Sequence, residues 1–358
     1  MIECVFTLDY ELYGNGTGSL EDLVYEPAEQ LRRIFRKWKA RFVNFVEVAE
    51  LERIEERGTD PAIALVNKQI RELFWEDFEI ALHLHPQWCN AHYRSGRWFL
   101  DFDEYNLCAL PRNRIAAIVE RSLAYLRHIV DEPRFTPLAF RAGNWLFQPT
   151  QPAASVLAAN GIRMDSSVFK GGLQHTHGLD YRPASKNGYY WPFSSDANQP
   201  DPVGQFLEVP IYTEMVPPWR MPCSKRLGIG NNLGYAGQRW NRMRDFLRFQ
   251  YPLKFDFCRM TLDQLTSMMR RIIEKDREEP AVYRPLVAIG HTKDLPEPQV
   301  VDDFLCFLRA NRIGIATFAS VYPKLLTELG RAHELSTGQY SSVTAFGRPP
   351  ENRSYPAA

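Results

Sequence analysis

Short apolar runs alternate with segments of helical period along most of this chain, and no other feature restricts its fold as much. IECVFTL (2–8) reads as a buried strand ending on Asp9. EPAEQLRRIFRKWK (26–39) repeats apolar residues at helical spacing, with Pro27 in a first-turn position. RFVNFVEV (41–48) is β-rich. LERIEERG then predicts a helix stopped by Gly58, and Asp60-Pro61 opens another that runs to about Trp75. FEIALHLH (78–85) is the next strand, Pro111 to Val130 an amphipathic helix, and PLAFRAGNW (137–145) a strand entering a glycine-containing loop. QPAASVLAANG (151–161) predicts a short helix with a glycine stop. Later strands fall at 206–212, 285–291 and 313–318, and later helices at 261–276 and 300–311. This order predicts an α/β fold with a parallel sheet or barrel and crossover helices.

Two stretches interrupt the alternation. Residues 170–205 and 215–258 are rich in Gly, Pro, Asn, Trp and Arg and are too long for plain connections, so they read as insertions with a functional use. From about residue 331 the chain is polar and without period, which predicts a tail that is poorly ordered or draped on the surface. The 43 basic and 43 acidic residues balance, which gives no reason to expect a nucleic-acid or anionic-membrane partner. The N-terminus has no basic and apolar leader, and no run of about 18 apolar residues occurs, so the expected location is the cytoplasm, with no membrane span. Six cysteines without CxxC spacing read as reduced thiols. The sequence does not fix the oligomeric state.

The polar residues of interest sit at the ends of apolar strands: Asp9 and Glu11, His83 and His85, Arg141, and His291. In parallel barrels the C-terminal strand ends form the active-site face. Asp9 and Glu11, two apart, share a face if the chain stays extended, and two adjacent carboxylates stay ionised only beside a cation. The alternative for Asp9 is a turn cap beside Gly14, Asn15 and Gly16. His83 and His85 also share a face. Imidazoles with carboxylates suit zinc and similar ions, whereas a lone strand-end histidine is more often only hydrogen-bonded. Arg141 follows buried apolar positions and needs an anion, for which Asp9 is one candidate. His291 could donate a proton in a hydrolysis, or be a surface histidine. The His175/His177 pair reads as a loop feature.

Taken in order, TLDYE, EIALHLHP, FRAGNW, GIRMDSSVF, LEVPI and VAIGHT resemble the motifs of the NodB-homology polysaccharide deacetylases, over about residues 1–215 and 285–320. The resemblance implies a distorted (β/α)7-type barrel with long loop insertions. It makes residues 1–330 one deacetylase-like domain, with insertions at about 170–205 and 215–258, and residues 331–358 a polar tail. It implies a metal-dependent hydrolase that removes an acetyl group, N-acetyl before O-acetyl, from a sugar or glycan precursor that could be nucleotide- or lipid-linked. The cofactor implied is a divalent metal, zinc first.

Carried over residue by residue, Asp9 is the general base, Arg141 orients it, and His291 is the general acid. Tyr10 stands where the family has a metal-binding Asp, leaving Glu11 as the nearest acid. His83 matches the first histidine ligand. Gln87 stands at the second, so that His85 substitutes, Gln87 coordinates weakly, or the metal is lost. The expected ligands are therefore Glu11, His83 and His85, with Trp145, Trp191, Trp219 and Tyr190 as sugar-stacking candidates. No Asp partner for His291 is evident. Competing readings are a degenerate carbohydrate-binding member of the fold and a hydrolase of another non-peptide C–N bond.

Overall fold

The computed structural model describes residues 1–185, 189–217, 250–295 and 297–330. Nine strands form its main sheet: β1 (Ile2–Tyr10), β2 (Val43–Glu47), β3 (Glu79–Leu84), β4 (Ala139–Ala142), β5 (Met164–Asp165), β6 (Trp191–Phe193), β7 (Phe206–Glu208), β8 (Arg284–His291) and β9 (Gly314–Ala316). The order is β6-β7-β5-β4-β3-β2-β1-β8, with β9 pairing on β1. Every pairing is parallel except β6 with β7.

Seven helices expected from the sequence pack on this sheet, α1 (Glu26–Lys37), α2 (Val48–Arg57), α3 (Ile63–Trp75), α4 (Arg112–Val130), α5 (Thr150–Ala159), α6 (Leu262–Glu278) and α7 (Pro298–Ala310), and an eighth that was not expected, α8 (Phe318–Glu328), follows β9. Helix α2 starts earlier than its periodicity suggests, because the Glu47 side chain accepts from the Glu50 amide and caps it directly at the end of β2. Parallel strands covered on both faces are continuously apolar, and β1 is buried at every residue but Glu3. Phe6 on β1 packs edge-to-face against Phe35 of α1, Phe257 and Phe304 of α7, contacts worth roughly 0.5–1.5 kcal/mol each beyond their burial.

The sheet curls toward closure through single bridges. Ile211 bridges Phe169 and Val287, and Asp256 bridges Ile289. The Phe255 amide donates to Tyr212 O, and the Ile289 amide to Phe255 O. The stretch expected to be irregular at 170–205 therefore supplies β6 and a small hairpin, Leu173–Gln174 with Leu179–Asp180. Within 215–258 the described residues include Tyr251–Lys254, which pairs antiparallel with Thr213–Val216. Residues 218–249, Trp219 among them, and the tail from 331 lie outside the described residues.

Candidate active site

The site lies at the C-terminal ends of β1, β3, β4 and β8. Register fixes who meets whom: Asp9 is level with His291, and His83 with both Glu47 and Arg141. Strand alternation then sorts the side chains. Asp9 and Glu11 face the site, while Tyr10 between them turns to the helix layer and donates its hydroxyl hydrogen to Gln69 of α3 at 2.5 Å.

Arg141 is completely buried and its guanidinium is spent on four hydrogen bonds: to Asp9 Oδ1 (2.5 Å), Ser166 O (2.9 Å), Thr7 Oγ1 (2.9 Å) and Ser166 Oγ (3.2 Å). It also stacks on the Phe45 ring. Burial pushes the Asp9 carboxyl up, but Arg141, His83 and His291 outweigh it and hold its pKa below the usual value. Asp9 is thus fixed as a carboxylate, with Oδ1 engaged and Oδ2 3.5 Å from His291 Nε2.

Glu11 Oε2 lies 2.9 Å from His85 Nε2 and 3.5 Å from His83 Nε2, and all three donor atoms lie within 4.8 Å of one another. A tetrahedral zinc site with bonds of about 2.0–2.2 Å needs donors roughly 3.4 Å apart, so small movements would admit an ion. The histidine surroundings suit one too. His83 Nδ1 donates to the Arg141 carbonyl at 2.8 Å, which turns its buried Nε2 toward Glu11. His85 Nδ1 is 3.1 Å from Gln87 Nε2 and 3.2 Å from Asn144 Nδ2, while Gln87 Oε1 is buried and unpartnered. Amide oxygen and nitrogen exchange places on a flip. With Gln87 turned over and an ion bound, its oxygen would accept the Nδ1 proton and leave the His85 Nε2 lone pair to the ion, as in metal-ligating histidines. Gln87 thus stands behind His85 and not among the three donors.

Charge around these donors is dense. Burial raises the Glu11 pKa, but Lys293, His85 and both histidine hydrogen bonds carry it well below the usual range. Lys293 donates to Glu11 Oε1 (2.8 Å) and Leu12 O (2.7 Å). Burial pulls His83 down, yet the hydrogen bond to Glu11 and the charge of Asp9 lift it to about 9. Burial lowers His291, with Asp9 opposing. Its Nδ1 is 3.7 Å from Asp294 Oδ2, the closest candidate for the missing Asp partner. Glu47 accepts the His85 amide at 2.7 Å and so sets that residue's backbone. Gly143 is required beside it: a Cβ there would lie 2.6 Å from Leu84 O and 2.7 Å from His85 Cγ.

The aromatic candidates divide. Trp145 joins the site, its ring centroid 6.3 Å from that of His291, but one face is capped by Lys254 Nζ at 2.9 Å from the centroid. Trp191 is buried in β6 with its indole N–H donating to Ala197 O. Tyr190 packs near Tyr283, just before β8 begins, at the opposite end of that strand from His291. Neither reaches the carboxylate–histidine cluster. Lys254, Lys293, Glu47 and Gly143 were not among the residues the sequence singled out as functional.

No protein-family profile matches the sequence, and no curated protein matches it. Solved structures do match in fold. A protein from Mycobacterium smegmatis assigned as a polysaccharide deacetylase superposes with a TM-score of 0.53 at 13% identity, over 91% of this chain and 90% of that one. One from Pseudomonas aeruginosa PAO1, similarly assigned, gives 0.51 at 12% identity over 91% of each chain. Puue allantoinase gives 0.50 at 12% identity, over 91% of this chain and 90% of that one. The fold is therefore a distorted (β/α)7-type barrel of the kind these hydrolases have.

Proposed function

We propose that this chain is a metal-dependent hydrolase that removes an acetyl group, N-acetyl before O-acetyl, from a sugar or glycan precursor. The observation that carries the reading is the Asp9–Arg141 pair set beside three convergent donors, Glu11, His83 and His85. A divalent ion held by those three, zinc first among the candidates, would supply Lewis acidity at the acyl carbonyl and acidify the attacking water.

The chain's own residues do the rest. Arg141 engages Asp9 Oδ1 and leaves Oδ2 as the base that takes the water proton. His291 Nε2, within 3.5 Å of Oδ2, is placed to return a proton to the leaving nitrogen. Asp294 Oδ2, 3.7 Å from Nδ1, puts a negative charge on the other side of the ring. Near-complete burial of Asp9, Glu11, His83 and Arg141 keeps bulk water from screening these charges.

A second reading has one observation in its favour: Lys293 already supplies Glu11 with a counter-charge. On that reading the fold persists without metal, as a carbohydrate-binding protein. Metal analysis of the purified chain, with acetate release from a panel of acetamido sugars, separates the two. The hydrolase reading expects about one chelatable ion per chain, lost with activity in His83→Ala. Absence of the ion together with unchanged behaviour of His83→Ala refutes it. Activity on other non-peptide C–N bonds without acetate release would keep the hydrolase and change the substrate.

A further inference from the structure

The cations of the site are paired, with one exception among the described residues. Arg141 is held by Asp9, Lys293 by Glu11, and Arg259 by Asp294 at 2.6 Å. Among the described residues no carboxylate lies within ion-pair distance of Lys254. It ends the Tyr251–Lys254 strand, immediately before the segment that closes the barrel onto β8. Its Nζ rests 2.9 Å from the Trp145 ring centroid and 4.0 Å from that of Phe169. The side chain is densely surrounded yet partly open to solvent.

An unpaired lysine in such a place lowers the stability of the fold. Burial pulls its pKa well below the ordinary lysine value, with Asp256 and Asp9 opposing. The aromatic faces offset part of the penalty, since they favour the ammonium over the amine. They also hold Nζ in one place. A sugar cannot stack on the Trp145 face that Lys254 covers, so a substrate arriving there meets the amine end of a lysine.

We propose that Lys254 receives an anionic substituent, a carboxylate or a phosphate, carried by the acylated sugar, so that the substrate class is acidic and not neutral. The inference rests on the deacetylase reading for the acylated sugar, but the anion contact stands on Lys254 alone. With three cations already neutralised by three carboxylates, the anion completes the fourth pair.

Calorimetric binding to the full chain tests this with three probes: N-acetylglucosamine, its 6-phosphate, and 2-acetamido-2-deoxyglucuronate. At least one acidic probe should bind about ten- to a hundredfold tighter than the neutral sugar, the range of one charge-assisted hydrogen bond. The arm that binds names the anion. Lys254→Met should abolish the preference while its thermal midpoint holds or rises, because an unpaired charge has been removed. Lys254→Arg should keep most of the preference, and Lys254→Gln replaces the Met variant should that fail to fold. The proposal is overturned if no acidic probe binds, if wild type shows no preference, or if the preference survives in Lys254→Met. Acidic probes that bind through Lys254 without acetate release from any substrate would sink the deacetylase reading and leave this one standing.

Discussion

Arg141→Met, Asp9→Asn and the double variant form a cycle whose outcome follows from burial. Arg141 makes four side-chain hydrogen bonds and is fully buried, as Asp9 nearly is. Removing the guanidinium alone leaves a carboxylate in the core. One-sided loss of a buried pair costs about 3–5 kcal/mol. His291 remains 3.5 Å away and can take up part of the charge, so the expected cost is about 3 kcal/mol, the lower end of that range. With Asn at position 9 no orphan charge remains, and the double variant should cost about 2 kcal/mol less than the sum of the singles, a coupling typical of residues in contact. Urea denaturation of the ion-free protein at pH 7 measures all four corners. The sign of the pH dependence provides a second check. Because the folded pKa of Asp9 is depressed, its contribution is present above the unfolded value of about 3.9 and is lost as pH falls through the folded pKa. Arg141→Met should flatten that acid limb. Additivity of the singles within about 0.5 kcal/mol, or an unaltered acid limb in Arg141→Met, would refute the reasoning.

Two further outcomes are expected. With no ion bound, His83 has a folded pKa of about 9 against 6.5 for the free group, so its stabilisation is complete below pH 6.5 and lost as pH rises through 9. That amounts to roughly 3 kcal/mol between denaturation midpoints at pH 6 and pH 9.5, and the same fall in His83→Gln would rule it out. Gly143→Ala places a methyl group against Leu84 O and the His85 ring, so it should cost about 1–3 kcal/mol and weaken binding of a divalent ion at least roughly tenfold. Titration with zinc in a competing chelator reads the second effect, and unchanged affinity would mean that His85 is not a ligand.

Much of the barrel could be read from the sequence because its strands are covered on both faces and its helices bury one stripe. Those two patterns survive in the order of residues, as β1 and α4 show. What could not be read is short. Strand β6 has three residues and Asp256 makes one single bridge, too little chain to leave a period, while the strand expected over 206–212 ends at Glu208 with Ile211 forming only isolated bridges. Trp191 sits in a Gly- and Pro-rich stretch and looked like exposed binding surface, yet β6 packs it into the core. At the site, strand ends exposed Asp9, His83, Arg141 and His291 as charged groups following apolar runs. Lys293 and Lys254 carried no such mark. Lys293 meets Glu11 across 282 positions, and Lys254 meets Trp145 across more than a hundred, so only the closed barrel brings them together.

The departures from the deacetylase motif at positions 10 and 87 have one geometric explanation. A ligand at the residue after Asp9 could face the site only if the strand stopped there. In this chain β1 runs through Tyr10, whose side chain therefore faces α3, and the next inward position is Glu11. The same holds on β3, which runs to Leu84 with His85 still extended, so His83 and His85 share a face. Residue 87 falls on the short turn that follows, where its amide meets His85 from behind. In both places the extended chain brings the i+2 residue inward, and the proposed donors Glu11 and His85 stand at those positions. On the proposed reading, strand alternation puts Glu11 on the face of Asp9 and His85 on the face of His83, so the three candidate donors converge while Tyr10 and Gln87 stand outside them.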